Sequence, residues 1–148
     1  MAGRVYLVRH ADAAPRTTTD AARPLTPAGR TRFEAHARAL APSLGLAAVL
    51  TSPLERARET AALLAAATAS PVDEEPALAS GASTGRALLA LARRVSPGTA
   101  LVGHNPEIAE AVALAAGREL AVPPGAVAAL EIAPDGAIAL AWLRAPSA

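Results

Sequence analysis

The sequence predicts an α/β protein: a three-layer α/β/α sandwich around a mainly parallel sheet, with a C-terminal β-hairpin. Short apolar, β-prone runs alternate with stretches that repeat apolar residues at helical spacing, the pattern of strands joined through helices. Thr26-Pro27, Ser52-Pro53 and Asn105-Pro106 each set a capping side chain before a proline suited to a first helical turn. Asp135-Gly136 separates two strand-like runs, a hairpin signal. With 148 residues, the chain has room for one domain, residues 1–148, and not for two ordinary ones.

The elements follow in order. Arg4–Val8 reads as the first strand, and Ala11–Leu25 as a polar, irregular loop. A helix capped by Thr26 is expected to run to about Leu40, with Phe33, Ala37 and Leu40 on one face and Pro42 and Gly45 marking its end. Ala47–Thr51 is a second strand, leading into a helix in which Ser52 and Glu55 have capping-box spacing and Leu54, Ala57, Ala61 and Leu64 recur on one side. Ser70–Ser83 reads as a polar connection. A third helix spans Arg86–Val95, a strand Thr99–Val102, and a further helix follows Asn105-Pro106. Ala126–Ile132 and Ala137–Leu143 form the hairpin.

Composition removes several function classes. There is no cysteine, which excludes disulfides, zinc–thiolate sites and thiol nucleophiles. All the basic residues are Arg, but a formal net charge of +1 argues against a broad nucleic-acid footprint. No apolar run approaches the roughly 18 residues needed to cross a membrane, and the N-terminus lacks a secretory pattern. A cytoplasmic protein is the expectation.

Three junctions share one shape, in which an apolar strand leads through a turn towards a helix. The first carries Arg9 and His10, the second Ser52 and Arg56, the third Gly103, His104 and Asn105. Parallel α/β sheets bind ligands beyond the carboxyl ends of their strands, where helix N-termini favour anions. Neighbouring side chains of a strand point to opposite faces, so Arg9 and His10 can serve one pocket only if the chain bends at His10–Ala11.

Two Arg and two His with few carboxylates suit a phosphoryl group. Guanidinium forks match phosphate oxygens and stay charged. A neutral imidazole can accept the phosphoryl group covalently, and a protonated one can donate to an equatorial oxygen. No metal or other cofactor is needed for that chemistry.

The blocks "LVRHADA", "SPLERARET" and "LVGHNP", with "RPLTPAGR", resemble the histidine phosphatase superfamily, and most of all its bacterial phosphohistidine phosphatases of the SixA type. The resemblance spans Arg4 to about Leu143 and implies a phosphoglycerate mutase-like fold. It implies that His10 is the phosphorylated nucleophile, and that Arg9, Arg56 and His104 bind the phosphoryl oxygens, His104 also stabilising the transition state. Ser52 is a further phosphate contact. Ala11 stands where relatives usually have Gly, so the loop must avoid positive φ or carry strain. Glu59 stands where relatives often have Gln.

The carboxylates available as general acid are Asp12, Glu74 and Glu75, none in a compelling context. An imidazole leaving a phosphoramidate needs such an acid less than an alkoxide does. The connection from Ala67 to Thr99 is also too short for a large lid, so a shallow pocket open to a protein side chain is expected. The favoured partner is a phosphohistidine-bearing signalling or phosphotransfer protein. The alternatives are a phosphatase or mutase of small esters, a phosphate- or phosphoprotein-binding module without turnover, and a metal hydrolase using His10, Asp12 and His104.

Blander roles compete at single positions. Arg9 could end its strand in a salt bridge, and Arg56 could pair on the surface with Glu55 or Glu59. Arg58 has the same neighbours and no claim on phosphate. His36 reads as structural, Asp20 and Arg23 as a loop pair, and Thr26 and Ser52 most simply as helix caps.

Overall fold

The computed structural model describes residues 3–15 and 19–147, so the loop expected over Ala11–Leu25 falls partly outside it, at residues 16–18. Ten elements carry the described fold: β1 (Gly3–Arg9), α1 (Pro27–Leu44), β2 (Ala48–Thr51), α2 (Glu55–Thr68), β3 (Val72–Glu74), α3 (Gly85–Arg94), β4 (Thr99–Gly103), α4 (Glu107–Ala116), β5 (Val127–Ile132) and β6 (Ile138–Arg144). Short 3₁₀ turns lie at Asp20–Ala22 and Pro76–Leu78.

The strands form one six-stranded sheet in the order β3-β2-β4-β1-β5-β6. β3, β2, β4 and β1 run parallel. β5 lies antiparallel to β1, and β6 antiparallel to β5. Alternation along the strands feeds two apolar layers, as a sheet covered on both faces requires. Tyr6, Val8, Val49 and Val102 meet Phe33, Ala37, Ala57, Ala61 and Leu64 of α1 and α2. Val5, Leu7 and Leu101 meet Leu88, Ala92, Ile108 and Val112 of α3 and α4. The expected three-layer sandwich with a C-terminal hairpin is the observed architecture.

Four local readings need correction. Helix α1 continues past Leu40 through Pro42 to Leu44. A proline inside a helix forfeits one hydrogen bond, but here buried Leu44 packs in the core and its carbonyl accepts from the Tyr6 hydroxyl at 2.7 Å. Gly45, in the left-handed region at φ 57°, then ends the helix.

The connection Ser70–Ser83 is not wholly irregular, because Val72–Glu74 adds edge strand β3. Three exposed residues, two of them acidic, offer no alternation to read, and charge is a common guard on a sheet edge. The expected capping box at Ser52 does not form: α2 starts at Glu55, its cap residue Leu54 makes no side-chain bond, and Ser52 lies before it. At α4, Pro106 rather than Asn105 is the cap residue, although Asn105 Oδ1 still accepts from Ala109 N–H at 3.1 Å. Thr26 caps α1 as expected, accepting from Gly29 N–H at 2.9 Å.

Candidate active site

The carboxyl ends of β1, β2 and β4 converge because those strands are parallel neighbours. β1 follows β4 through the Arg9–Gly103 pair, and His10 N–H still donates to the Gly103 carbonyl at 3.0 Å. The next amide leaves the sheet: Ala11 N–H donates to Thr60 Oγ1 of α2 at 2.9 Å. The chain thus turns at His10–Ala11, where sharing one pocket demands it. Ala11 does so without positive φ, which among described non-glycine residues occurs at Ala69.

That turn orients His10. Its Nδ1 lies 2.7 Å from the Ala11 carbonyl, an oxygen that can only accept, so Nδ1 carries the hydrogen and Nε2 the lone pair. His104 stands beside it, with ring centroids 5.1 Å apart and planes inclined by 55°. His104 Nε2 lies 2.7 Å from Ser52 Oγ, which also accepts from Leu54 N–H at 3.1 Å. Ser52 Oγ has a second lone pair besides its hydrogen, so this contact holds the His104 ring in either tautomer, and Nδ1 is the ring's other polar edge. Ser52 is fully buried, with its Oγ against both His104 Nε2 and Leu54 N–H, so it supports that ring.

Arg9 Nη1 donates to the Val122 carbonyl at 2.9 Å. Arg56, only 4% exposed, directs Nη1 and Nη2 to the Asp20 carbonyl and carboxylate at 2.8 and 3.1 Å. The surface pairing of Arg56 with Glu55 or Glu59 does not occur; Glu59 pairs with Arg30, and Arg58 takes Glu55 and Glu74.

After these bonds, Arg9 Nε, Arg56 Nε and His104 Nδ1 are buried and without partner. Buried polar atoms are nearly always paired, so three such atoms on residues brought together from three strand ends require an explanation.

The electrostatics favour an anion at this position. Burial pushes His10 down to about 4, helped by the charges of Arg56, Arg9 and Arg23 and opposed by the bond to Ala11. Burial likewise pushes His104 down to about 3, with His10, Arg56 and Arg9 adding to it and Asp20 opposing. Both imidazoles are neutral at pH 7, His10 with a free lone pair. An incoming anion reverses the field at His104 and favours its protonation.

The other expected residues lie elsewhere. Asp12 is exposed; its carboxylate accepts from Thr26 Oγ1 at 3.2 Å, and it borders a cleft of about 320 Å³ with Ala11, Gly29 and Arg32. Glu74 lies on β3 against Arg58 at 3.5 Å, and Glu75 accepts from Ala77 N–H at 3.0 Å. His36 is half-buried, within 3.2 Å of the Arg144 carbonyl and at the edge of the Phe33 ring. Among the described residues no three His, Asp or Glu side chains are grouped to hold a metal, and no helix is long and apolar enough to cross a membrane.

Three contributors had no sequence signal of their own. Thr60 accepts from Ala11 and donates to the Arg56 carbonyl, so one hydroxyl ties the His10 turn to α2. The Val122 carbonyl accepts from both Arg9 and Asn105. Asp20, expected to pair with Arg23, does so at 3.3 Å but also grips Arg56. Only its place in the loop after the first strand, five residues before "LTPAG", hinted at proximity to the first strand end.

A mainly parallel α/β sandwich whose strand ends gather two imidazoles and two guanidinia defines a phosphoryl-handling protein. The chain belongs to the histidine phosphatase superfamily (branch 1), whose profile matches residues 5–82. Membership indicates a phosphatase, a hydrolase acting on a phosphorylated substrate. An uncharacterised protein of Picosynechococcus sp. is 42% identical over 114 residues, covering 72% of this chain and 68% of that one. The protein histidine phosphatase SixA, solved with tungstate, shares the fold with a TM-score of 0.86 at 23% identity, covering 97% of each chain. A candidate phosphohistidine phosphatase SixA from Agrobacterium tumefaciens matches with a TM-score of 0.84 at 24% identity, covering 98% of this chain and 99% of that one.

Proposed function

We propose that the chain, as one histidine phosphatase domain over residues 1–148, is a metal-independent phosphatase that works through phospho-His10 and acts on phosphohistidine of a signalling or phosphotransfer protein. The observation that carries this reading is the set of buried donors without partners, Arg9 Nε, Arg56 Nε and His104 Nδ1, around an imidazole whose Nε2 is free. A phosphoryl group is a ligand that satisfies all three donors at once.

In this reading the three donors hold the equatorial oxygens while His10 Nε2 attacks phosphorus in line. The bond from phosphorus to the leaving nitrogen breaks as the new P–Nε2 bond forms. His104 becomes protonated as phosphate binds and stabilises charge in the transition state. Water then attacks phospho-His10, the P–Nε2 electron pair returns to the imidazole, and inorganic phosphate leaves. Two guanidinia and an imidazolium supply the positive charge.

Phosphohistidine as substrate is supported by the leaving group. Asp12, Glu74 and Glu75 are each engaged by other groups, Thr26 Oγ1, Arg58 and Ala77 N–H. An alkoxide departs poorly without an acid, whereas an imidazole can depart already protonated. Of the SixA structures that share the fold, one is a protein histidine phosphatase holding tungstate, an oxyanion of phosphate's charge type, and the other a candidate phosphohistidine phosphatase.

The test compares phosphate release from a phosphohistidine-bearing protein and from p-nitrophenyl phosphate, with chelator present, for wild type and His10→Ala. Release from the protein by wild type, lost by roughly 10⁴-fold or more in a folded His10→Ala, is the expected result. Cleavage of the ester alone would redirect the reading to small esters. Inertness on both, with phosphate still bound, would leave a binding module.

A further inference from the structure

Asp20 is the carboxylate that touches the phosphoryl-binding residues, and it lay outside the expected acids. Its backbone carbonyl and its Oδ2 occupy the Nη1 and Nη2 edge of Arg56 at 2.8 and 3.1 Å, leaving the buried Nε free. Its Oδ1 lies 3.3 Å from Arg23 Nη1, and Arg23 is anchored through Nε to the Ala14 carbonyl at 2.8 Å. The Asp20 side chain is 44% exposed, so the carboxylate meets solvent on one side and Arg56 on the other.

Resting on the phospho-His10 reading above, we propose that Asp20 is the general base of the second half-reaction, orienting the water that hydrolyses phospho-His10 and accepting its proton. The first leaving group and the later water stand on the same side of phosphorus, opposite His10 Nε2, and it is the charged state of Asp20 beside two guanidinia that suits it to the water. A phosphoryl group on the Nε edge of Arg56 shares that guanidinium with Asp20, so the carboxylate borders the phosphoryl group from the solvent side.

The step balances. The water oxygen bonds to phosphorus, the P–Nε2 bond breaks with its electron pair returning to His10, and one water proton passes to Asp20. Burial works against ionisation of Asp20, but hydrogen bonds and charge from Arg56 and Arg23 outweigh it and hold the carboxyl below its ordinary range. A carboxylate so held cannot protonate a leaving alkoxide, which restricts the first half to leaving groups that need no acid.

The experiment is rapid quench of wild type, Asp20→Asn and Asp20→Glu with phosphoramidate as donor, following the occupancy of phospho-His10 by mass spectrometry. Calorimetry with inorganic phosphate reports the anion site separately. Asp20→Asn keeps the size of the side chain and the backbone contact to Arg56. It is expected to form phospho-His10 at least as fast as wild type and to bind phosphate at least as tightly, because a negative charge beside Arg56 is gone. It should nevertheless lose the phosphoryl group from His10 about 10²-fold more slowly, the low end for base catalysis because Arg56 and Arg23 reduce basicity.

Asp20→Glu is expected to recover part of the decay rate. Decay of Asp20→Asn at the wild-type rate would overturn the role. So would equal slowing of both steps with weakened phosphate binding, which would make Asp20 a positioning residue for Arg56. Absence of phospho-His10 in every variant, wild type included, would overturn the nucleophile reading itself.

Discussion

On the outer face of α2, Arg58 is half exposed and meets Glu55 at 3.8 Å and Glu74 at 3.5 Å. Two residues earlier, on the inner face, Arg56 is almost fully buried, held at one edge by Asp20 and left without partner at Nε. The side-chain type is the same and the sequence neighbours are shared. The outer cation is screened by water and finds whatever carboxylate is near, worth little to stability. The inner cation has been desolvated and only half satisfied, a costly arrangement unless a ligand completes it. The buried donors left unpaired among the described residues, Arg9 Nε, Arg56 Nε and His104 Nδ1, belong to the strand-end residues, and the fourth unpaired atom, Glu107 Oε1, is a carboxylate acceptor on α4.

Arg56→Ala is the sharpest way to break that comparison. Removing a preorganised donor of this kind is expected to lower kcat by about 10²–10³-fold. Phosphate should weaken as a competitive inhibitor. Steady-state kinetics with an unchanged rate would reduce Arg56 to a partner of Asp20.

The pH dependence of stability comes next. His10 and His104 are held at about 4 and about 3 in the folded chain, against about 6.5 when unfolded. The unfolded chain therefore binds more protons across this window, so their contribution is full above about pH 6.5 and is lost as pH falls towards 4 and then 3. Thermal midpoints measured over that range should fall with acid. Added phosphate should offset the fall, because it makes a charged His104 welcome. A midpoint insensitive to both would contradict the buried, neutral pair.

Ser52→Ala should act on the site through His104, and it also removes the acceptor of Leu54 N–H. Losing one hydrogen bond of about 1 kcal/mol predicts a fall in kcat of about five- to tenfold. The loss of phosphate affinity should be smaller than in Arg56→Ala. The mildest change is Arg58→Ala on the outer face, expected to leave turnover intact and to shift unfolding free energy by no more than about 0.5 kcal/mol in denaturant titration.

Much of this was legible in the sequence because it rests on local patterns. Val5–Val8 and Thr99–Val102 announce buried strands, Thr26-Pro27 announces a helix start, and the "RH", "SPLER" and "GHNP" blocks sit at strand ends where a parallel sheet gathers ligands. What escaped depends on distant contacts. Leu44 extends α1 beyond Pro42 because Tyr6, 38 residues away, bonds its carbonyl. Ser52 looked like a helix cap by spacing, yet its hydroxyl serves His104, 52 residues on. The grip of Asp20 on Arg56 spans 36 residues, and no one-dimensional pattern records it. Local chemistry predicts which residues arrive at the edge of the sheet, and tertiary contacts decide what each then does.

The central claim is that the phosphoryl group passes to the free nitrogen of His10. Its most direct test is a millisecond quench of the wild-type protein with a phosphohistidine-bearing donor and chelator, followed by mass-spectrometric location of the phosphate. The account predicts an acid-labile, base-stable phosphate on His10 that rises before inorganic phosphate appears. Phosphate released with no phosphoenzyme, or a label on any other side chain, would contradict it.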